Sequence, residues 1–251
     1  MEKKYRFVLY NIRYGTGSGW QLRAPFSYRG YIGKTNGNFN SIVDFIESLA
    51  PDIVGLIEVD GGSRRSRGVN QARQLANTLG HSYVFETKYT RPLLTKHLPI
   101  VRRQGNAFLS KNLIVNRKCR YFDQGIKRLF MEIELENCVV FLVHLSITYG
   151  NRQEQLRELG RLINQQEKPV IVAGDFNSFL GMRELKPFLE STCLQSANIN
   201  NIRTFPSRAP KMELDFIFHS PEIIIHDLYV PTVILSDHRP LVCDFSLRDQ
   251  D

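Results

Sequence analysis

Two stretches of this chain follow one pattern: an amphipathic helix, a proline, an apolar strand and then a carboxylate. They are FIESLAPDIVGLIE, residues 45–58, and RLINQQEKPVIVAGD, residues 161–175. Pro51 and Pro169 stop their helices, because a proline inside a helix removes a hydrogen bond and clashes with the preceding turn. The echo is too degenerate to establish a duplication. It does restrict the chain to strands and helices packed in layers, with polar groups delivered at strand ends.

The remaining periodicities fill in that frame. Residues 5–12, YRFVLYNI, read as a strand, followed by a long loop rich in glycine and aromatics. Ile42, Phe45, Ile46 and Leu49 have helical spacing, with Asn40 or Ser41 as the expected cap. DIVGLIEV reads as a strand, and SRGVNQARQLANTLG as a helix that carries Val69, Ala72, Leu75, Ala76 and Leu79 on one side and stops at Gly80. HSYVFETKY and QGNAFLS are strands on either side of a basic segment. KRLFMEIELENCVVFLVHLS is a hairpin turning at EN. A helix over NRQEQLRELGRLINQQ, with Leu156, Leu159 and Ile163 inward, leads into the strand VIVAGD. LDFIF and VPTVILSDHRPLVCDFSL close the chain. No linker or shift in composition divides it, so residues 1–251 are expected to form one domain.

Charge is informative by its placement. The net charge is +8, yet segments 13–37, 61–68 and 88–104 hold twelve Lys and Arg and no acid. Taking those twelve away from +8 leaves −4 for the rest, so the excess is local and suits a surface facing phosphate. Four scattered cysteines show no metal or disulfide spacing and fit a reducing compartment. The first residues lack the apolar block of a secretory signal, and no stretch approaches a membrane span, so a cytoplasmic location is expected.

Polar groups stand where apolar strands run out: Asn11, Glu58, Asn106, His144, Asp175, Asn177, Asp215, Asp237 and His238. One strand-end Asp is usually a turn residue. Nine such groups together are not. In VIVAGDFNSF, Asp175 and Asn177 are two apart and would face one way in an extended chain, with Phe176 turned to the other side. Carboxylate and amide oxygens suit a hard cation such as Mg²⁺. Histidines near carboxylates suit proton transfer, and basic loops suit phosphate. Together they point to hydrolysis of a phosphate ester.

The segments LYNIRYG, GLIEV, QGNAFLS, VHLS, AGDFN, LDFIF and SDHRPLV resemble, in order and spacing, those of the endonuclease/exonuclease/phosphatase superfamily. The resemblance runs from Asn11 to Pro240. It implies a four-layered α/β/β/α sandwich, two mixed sheets face to face with helices outside, and a site at one rim. It implies Glu58, Asn11 and Asp237 as ligands of Mg²⁺, with Mn²⁺ as a substitute. Asp175 would activate the attacking water or protonate the leaving group, and Asn177 would hold a phosphate oxygen. His238 would sit at the phosphate, oriented by Asp215, with His144 as a second histidine. Arg128 would bind phosphate and Asn106 would support the site.

The expected substrate is a polyanion. A nuclease acting on DNA or RNA is the first reading. The acid-free basic loops would hold the backbone, and Trp20, Phe26, Tyr28 and Tyr31 would stack on bases. Arg64 and Arg65, in GGSRRSR, would reach substrate phosphates if that loop folds over the rim. The second reading is a lipid-directed phosphodiesterase or phosphatase, its glycine- and aromatic-rich loop touching a membrane surface. A non-catalytic binding module on the same fold is a distant third. No protein partner is expected.

Overall fold

Each of the two echoing segments becomes the helix end and second strand of a parallel strand–helix–strand crossover, and everything else is arranged around that pair. The structure, a computed structural model, describes residues 3–18, 36–88 and 100–248. The chain runs β1 (Lys4–Asn11), α1 (Asn36–Ser48), β2 (Ile53–Asp60), α2 (Gln71–Leu79), β3 (Ser82–Thr87), β4 (Gln104–Ser110), β5 (Ile114–Tyr121) and β6 (Leu129–Leu135). It continues through β7 (Val139–His144), α3 (Tyr149–Ile163), β8 (Val170–Asp175), α4 (Met182–Thr192), β9 (Gln195–Ser196), β10 (Asp215–His219), β11 (Ile223–Tyr229) and β12 (Leu241–Leu247).

One six-stranded sheet has the order β11-β12-β1-β2-β4-β3, the other β5-β6-β7-β8-β10-β9. In each, the central pair is parallel and every other pairing is antiparallel: β1 with β2, joined through α1, and β7 with β8, joined through α3. The sheets therefore share one pattern of neighbours and directions.

Period-two alternation sorts the side chains into three apolar layers. Phe7, Leu9, Ile57 and Phe108 meet Met131, Leu142, Ala173 and Ile217 between the sheets. Tyr10, Val54, Leu56 and Leu109 face α1 and α2. Phe141, Val172, Phe216 and Phe218 face α3 and α4. The result is the expected α/β/β/α sandwich. At about 25 cal/mol per Å² of apolar surface, each such side chain stabilises the fold by roughly 1.5–3 kcal/mol before entropy is counted.

Three expectations are corrected. Helix α1 begins at Asn36, so Asn40 and Ser41 lie inside it rather than at its cap. Its buried stripe is Phe39, Ile42, Val43 and Ile46, with Phe45 and Leu49 only partly covered. Phe39 extends the apolar face a full turn toward the N-terminus. Strands β5 and β11 were not expected at all. Both are edge strands with broken alternation. The aromatics Trp20, Phe26, Tyr28 and Tyr31 lie outside the described residues. All four cysteines are free thiols, and no helix among the described residues is long and apolar enough to cross a membrane.

Candidate active site

The inward faces that carry Leu9, Phe108, Leu142, Ala173 and Ile217 into the core between the sheets end, two residues further toward one rim, in Asn11, Asn106, His144, Asp175 and Asp215. The same alternation that builds the core therefore crowns it with polar groups. His144, Asp175 and Asp215 form a single rung across β7, β8 and β10, since Asp175 pairs in register with both neighbours. Gly174 makes the rung possible: a Cβ there would sit 1.9 Å from the Val143 carbonyl oxygen.

Glu58 reaches the site by a different route. Between Leu56 and Val59 the register of β2 against β4 shifts, so Ile57 and Glu58 together oppose Asn106. Such a bulge inserts one residue and re-aims its side chain. Glu58 has φ +60°, a left-handed backbone rare for a glutamate. Asn106 Oδ1 accepts a hydrogen bond from the displaced Glu58 N–H at 3.2 Å.

Asp175 is the hub. Its Oδ2 accepts from Asn11 Nδ2 at 3.0 Å, and lies 3.4 Å from His144 Nε2 and 3.9 Å from His238 Nε2. Its Oδ1 accepts from the Asn177 N–H at 3.0 Å. Burial, reinforced by the charge of Asp215, lifts its carboxyl to about 6 against the opposing pull of His238. Asn177 follows a turn at φ +49° rather than an extended path, and its Nδ2 donates to the Leu145 carbonyl at 3.0 Å. Phe176 packs edge-on against Phe216 and Phe218 on the helix side.

The two histidines differ in charge. His238 Nδ1 bonds Asp215 Oδ2 at 2.7 Å, and Thr204 Oγ1 donates to the same oxygen at 2.6 Å. Burial works against the imidazolium, but Asp215, Asp175 and Asp237 outweigh it and raise His238 to about 10. His144 is fully buried. Burial first, then the charges of Lys127, Lys88 and His238, hold it well below its ordinary value, so it is neutral.

Lys88, Lys127 and Arg13 complete the site; Arg13 lies in the LYNIRYG segment, and Arg13 and Lys88 in the acid-free basic segments, but nothing in the sequence singles them out as site residues. Lys88 Nζ stands 3.6 Å from Glu58 Oε1 and 3.1 Å from the Tyr14 hydroxyl. Its burial lowers it to about 8. Lys127 donates to His144 Nε2 in a short hydrogen bond. Arg13 Nε lies 3.3 Å from Asp237 Oδ2. Burial would raise Glu58, yet Lys88, Lys127, His238 and Arg13 together hold it below its usual range.

The phosphate-binding expectation for Arg65 does not match its placement. Arg65 is turned into the protein, its Nη2 2.9 Å and Nε 3.0 Å from Asp60 Oδ2 and its guanidinium over the Tyr14 ring. Asp60 draws the whole GGSRRSR loop inward, because Gly62, Ser63 and Ser66 donate to it as well. Arg64 stays exposed on the rim. Arg128 is half-buried just ahead of β6, and its neighbour Lys127 is the cation that reaches His144.

Native interiors leave few buried polar atoms unpaired. Among the described residues Asn106 Nδ2, His144 Nδ1 and Asp215 Oδ1 find no partner, all at this end of the molecule. The buried Glu58 carboxylate forms an ion pair with Lys88 alone among the described residues. An ionised, oxygen-donating group with an amide oxygen and a second acid at hand suits a hard divalent cation. Asp175, Asp215 and His238 also bring ligand-type atoms within 4.8 Å of one another. Within that trio His238 Nδ1 is already engaged with Asp215 Oδ2 at 2.7 Å.

A profile of the endonuclease/exonuclease/phosphatase family matches residues 8–238. Similar solved structures include an endonuclease/exonuclease/phosphatase of Beutenbergia cavernae, with TM-score 0.69 and 19% identity over 98% of this chain and 72% of that one. The human Nocturnin catalytic domain gives TM-score 0.67 and 21% identity over 98% and 96%. A mannosyl-6-phosphatase of Bacteroides thetaiotaomicron gives 0.68 and 16% over 97% and 100%. Identities this low speak for the fold alone. A UPF0294 protein of Vibrio parahaemolyticus is 29% identical over 121 residues, a stretch covering 45% of this chain and 42% of that relative.

Proposed function

Because the chain belongs to the endonuclease/exonuclease/phosphatase family, whose members hydrolyse phosphoester bonds, we propose that it cleaves phosphodiesters with a divalent cation by in-line attack of water. The arrangement around Asp175 carries this reading: one carboxylate oxygen faces a neutral imidazole on one side and a cationic imidazole on the other.

Asp175 takes a proton from the attacking water as the new P–O bond forms and the bond to the leaving oxygen breaks. His238, held by Asp215, places positive charge at the phosphoryl oxygens, where negative charge grows in the transition state. Asn177 has a second amide hydrogen for the same group, the first being spent on Leu145. The leaving oxygen is protonated from solvent or from the Lys127–His144 pair. Glu58, Asn11 and Asp237 would hold Mg²⁺ or Mn²⁺, which supplies charge neutralisation at the phosphate when bound. The basic rim suits a polyanion, either a nucleic-acid backbone or a layer of charged headgroups.

Wild type and Asp175→Asn would be compared on bis(4-nitrophenyl) phosphate with Mg²⁺ and with EDTA. The expected outcome is metal-dependent hydrolysis, reduced in the variant by ~10²–10⁴-fold, the usual worth of a general base. Hydrolysis that ignores EDTA, or a variant as active as wild type, would overturn the proposal.

A further inference from the structure

The two sides of the active-site rim are built from different chemistry. Strand order fixes what stands beside what. Around the second sheet, the connection into β6 and those leaving β7 and β8 lie next to one another. They carry Ile126 (77% exposed), Ile147, Tyr149, Phe179 and Leu180 (65% exposed). Five of the ten large apolar residues exposed among the described ones therefore lie on these adjoining connections. Single exposed apolar residues are ordinary on any surface, but five on adjoining connections beside a site mark something that touches it.

The first sheet's side is basic. Arg64 and Arg67 follow β2 and Arg102 and Arg103 precede β4, all exposed, and segments 61–70 and 100–103 contain no acid. Across the rim, Asp123 is an exposed acid in the connection into β6. The phosphoester site lies between the cationic side and the apolar side.

The kind of apolar residue separates the partners. Nucleic-acid grooves stack bases on aromatic rings. Three of the five, Ile126, Ile147 and Leu180, are aliphatic and offer no stacking face; with Tyr149 and Phe179 beside them they suit the interface and acyl boundary of a bilayer, while the arginines suit anionic headgroups.

Resting on the phosphodiesterase reading above, we propose that this end of the molecule docks on an anionic phospholipid surface and that the substrate is the phosphodiester of a membrane lipid. The arginines attract the headgroup layer, the apolar row enters it, and a headgroup phosphate is brought to Asp175 and His238.

Docking is tested apart from chemistry by sedimenting the full chain with phosphatidylcholine vesicles, with and without phosphatidylglycerol, in EDTA. Bis(4-nitrophenyl) phosphate hydrolysis is measured in parallel. Wild type is expected to sediment with the phosphatidylglycerol vesicles. Ile126→Asp with Leu180→Asp should weaken that binding by about tenfold or more. Arg67→Glu with Arg102→Glu should remove its dependence on phosphatidylglycerol. All of these residues are exposed, so hydrolysis of the small diester should stay at the wild-type rate, and Mg²⁺ should release headgroup from the vesicles. Binding that the apolar variant leaves intact would overturn the docking. Binding to oligonucleotides with none to vesicles would hand the rim to nucleic acid. Docking without headgroup release, while the small diester is still cleaved, would overturn the substrate assignment alone. Loss of the small-diester reaction with docking intact would instead sink the catalytic reading.

Discussion

Arg65 closes a buried ion pair on Asp60, and both side chains have no solvent exposure. Removing one partner of such a pair leaves the other charge stranded, which costs about 3–5 kcal/mol. Arg65→Ala should therefore lower Tm by roughly 10 °C, at the usual 2–4 °C per kcal/mol for a chain this size. Arg64→Ala, one residue away and exposed, should stay within about 0.5 kcal/mol of wild type. Thermal melts of the two variants decide it; matched values would show that the Asp60 hub does not depend on Arg65. Strand-end groups such as Asn11, Asp175 and Asp215 were legible in the sequence because alternation fixes which way they face. Arg13 and Lys88 could be read only as members of acid-free basic segments, and Lys127 not even so, because all three sit on connections where no period operates. Nor does GGSRRSR reveal which arginine turns inward, a choice made by a carboxylate one strand-end earlier.

At the level of elements, the bulge in β2 ties catalysis to a residue that performs none. Asn106 stands opposite the bulge and holds the Glu58 N–H, so Asn106→Ala should raise the Mg²⁺ concentration needed for half-maximal activity by about 10–100-fold, the usual effect of losing a residue that orients a ligand. Mn²⁺ binding followed by calorimetry gives a readout independent of turnover; unchanged affinity would make Asn106 a packing residue only. Beside β10, burial chiefly raises Glu213 to about 7, the Asp215 charge adding to it and the Asn198 hydrogen bond opposing it. The folded state thus binds this proton more tightly than the unfolded one. Glu213 therefore costs stability progressively as pH rises from about 4.5 through 7. Glu213→Gln should be more stable than wild type at pH 8, with the gap shrinking toward pH 5; a gap independent of pH would contradict that linkage. The sheet centres could be read from their apolar runs, whereas β5 and β11 could not. An edge strand has one partner and one open side, so its polar and apolar positions need not alternate cleanly.

Across the whole molecule, the echo in the sequence marks the central parallel pair of each sheet. What it does not mark is that β11 and β12, far along the chain, complete the first sheet rather than extending the second. Hydrophobic pattern specifies which face of a strand is buried, not which sheet recruits it. A chain ending at His238 would retain every proposed catalytic residue yet leave β1 with an open edge and β11 without its partner. It should lack a cooperative thermal transition by circular dichroism; a sharp wild-type-like transition would show that β12 is dispensable.

The pairing of β1 with β12 also imposes an order in time. Lys4 meets Ser246 and Leu9 meets Leu241, so the first strand leaves the ribosome more than two hundred residues before its neighbour. At about 5–20 residues per second, that is a delay on the order of 10–50 s. The second sheet, drawn from residues 114–219, can close while the first still waits with an unprotected edge. Asp237 and His238, both part of the proposed chemistry, are translated just ahead of β12, so the rim receives its last members only as β1 gains its second neighbour.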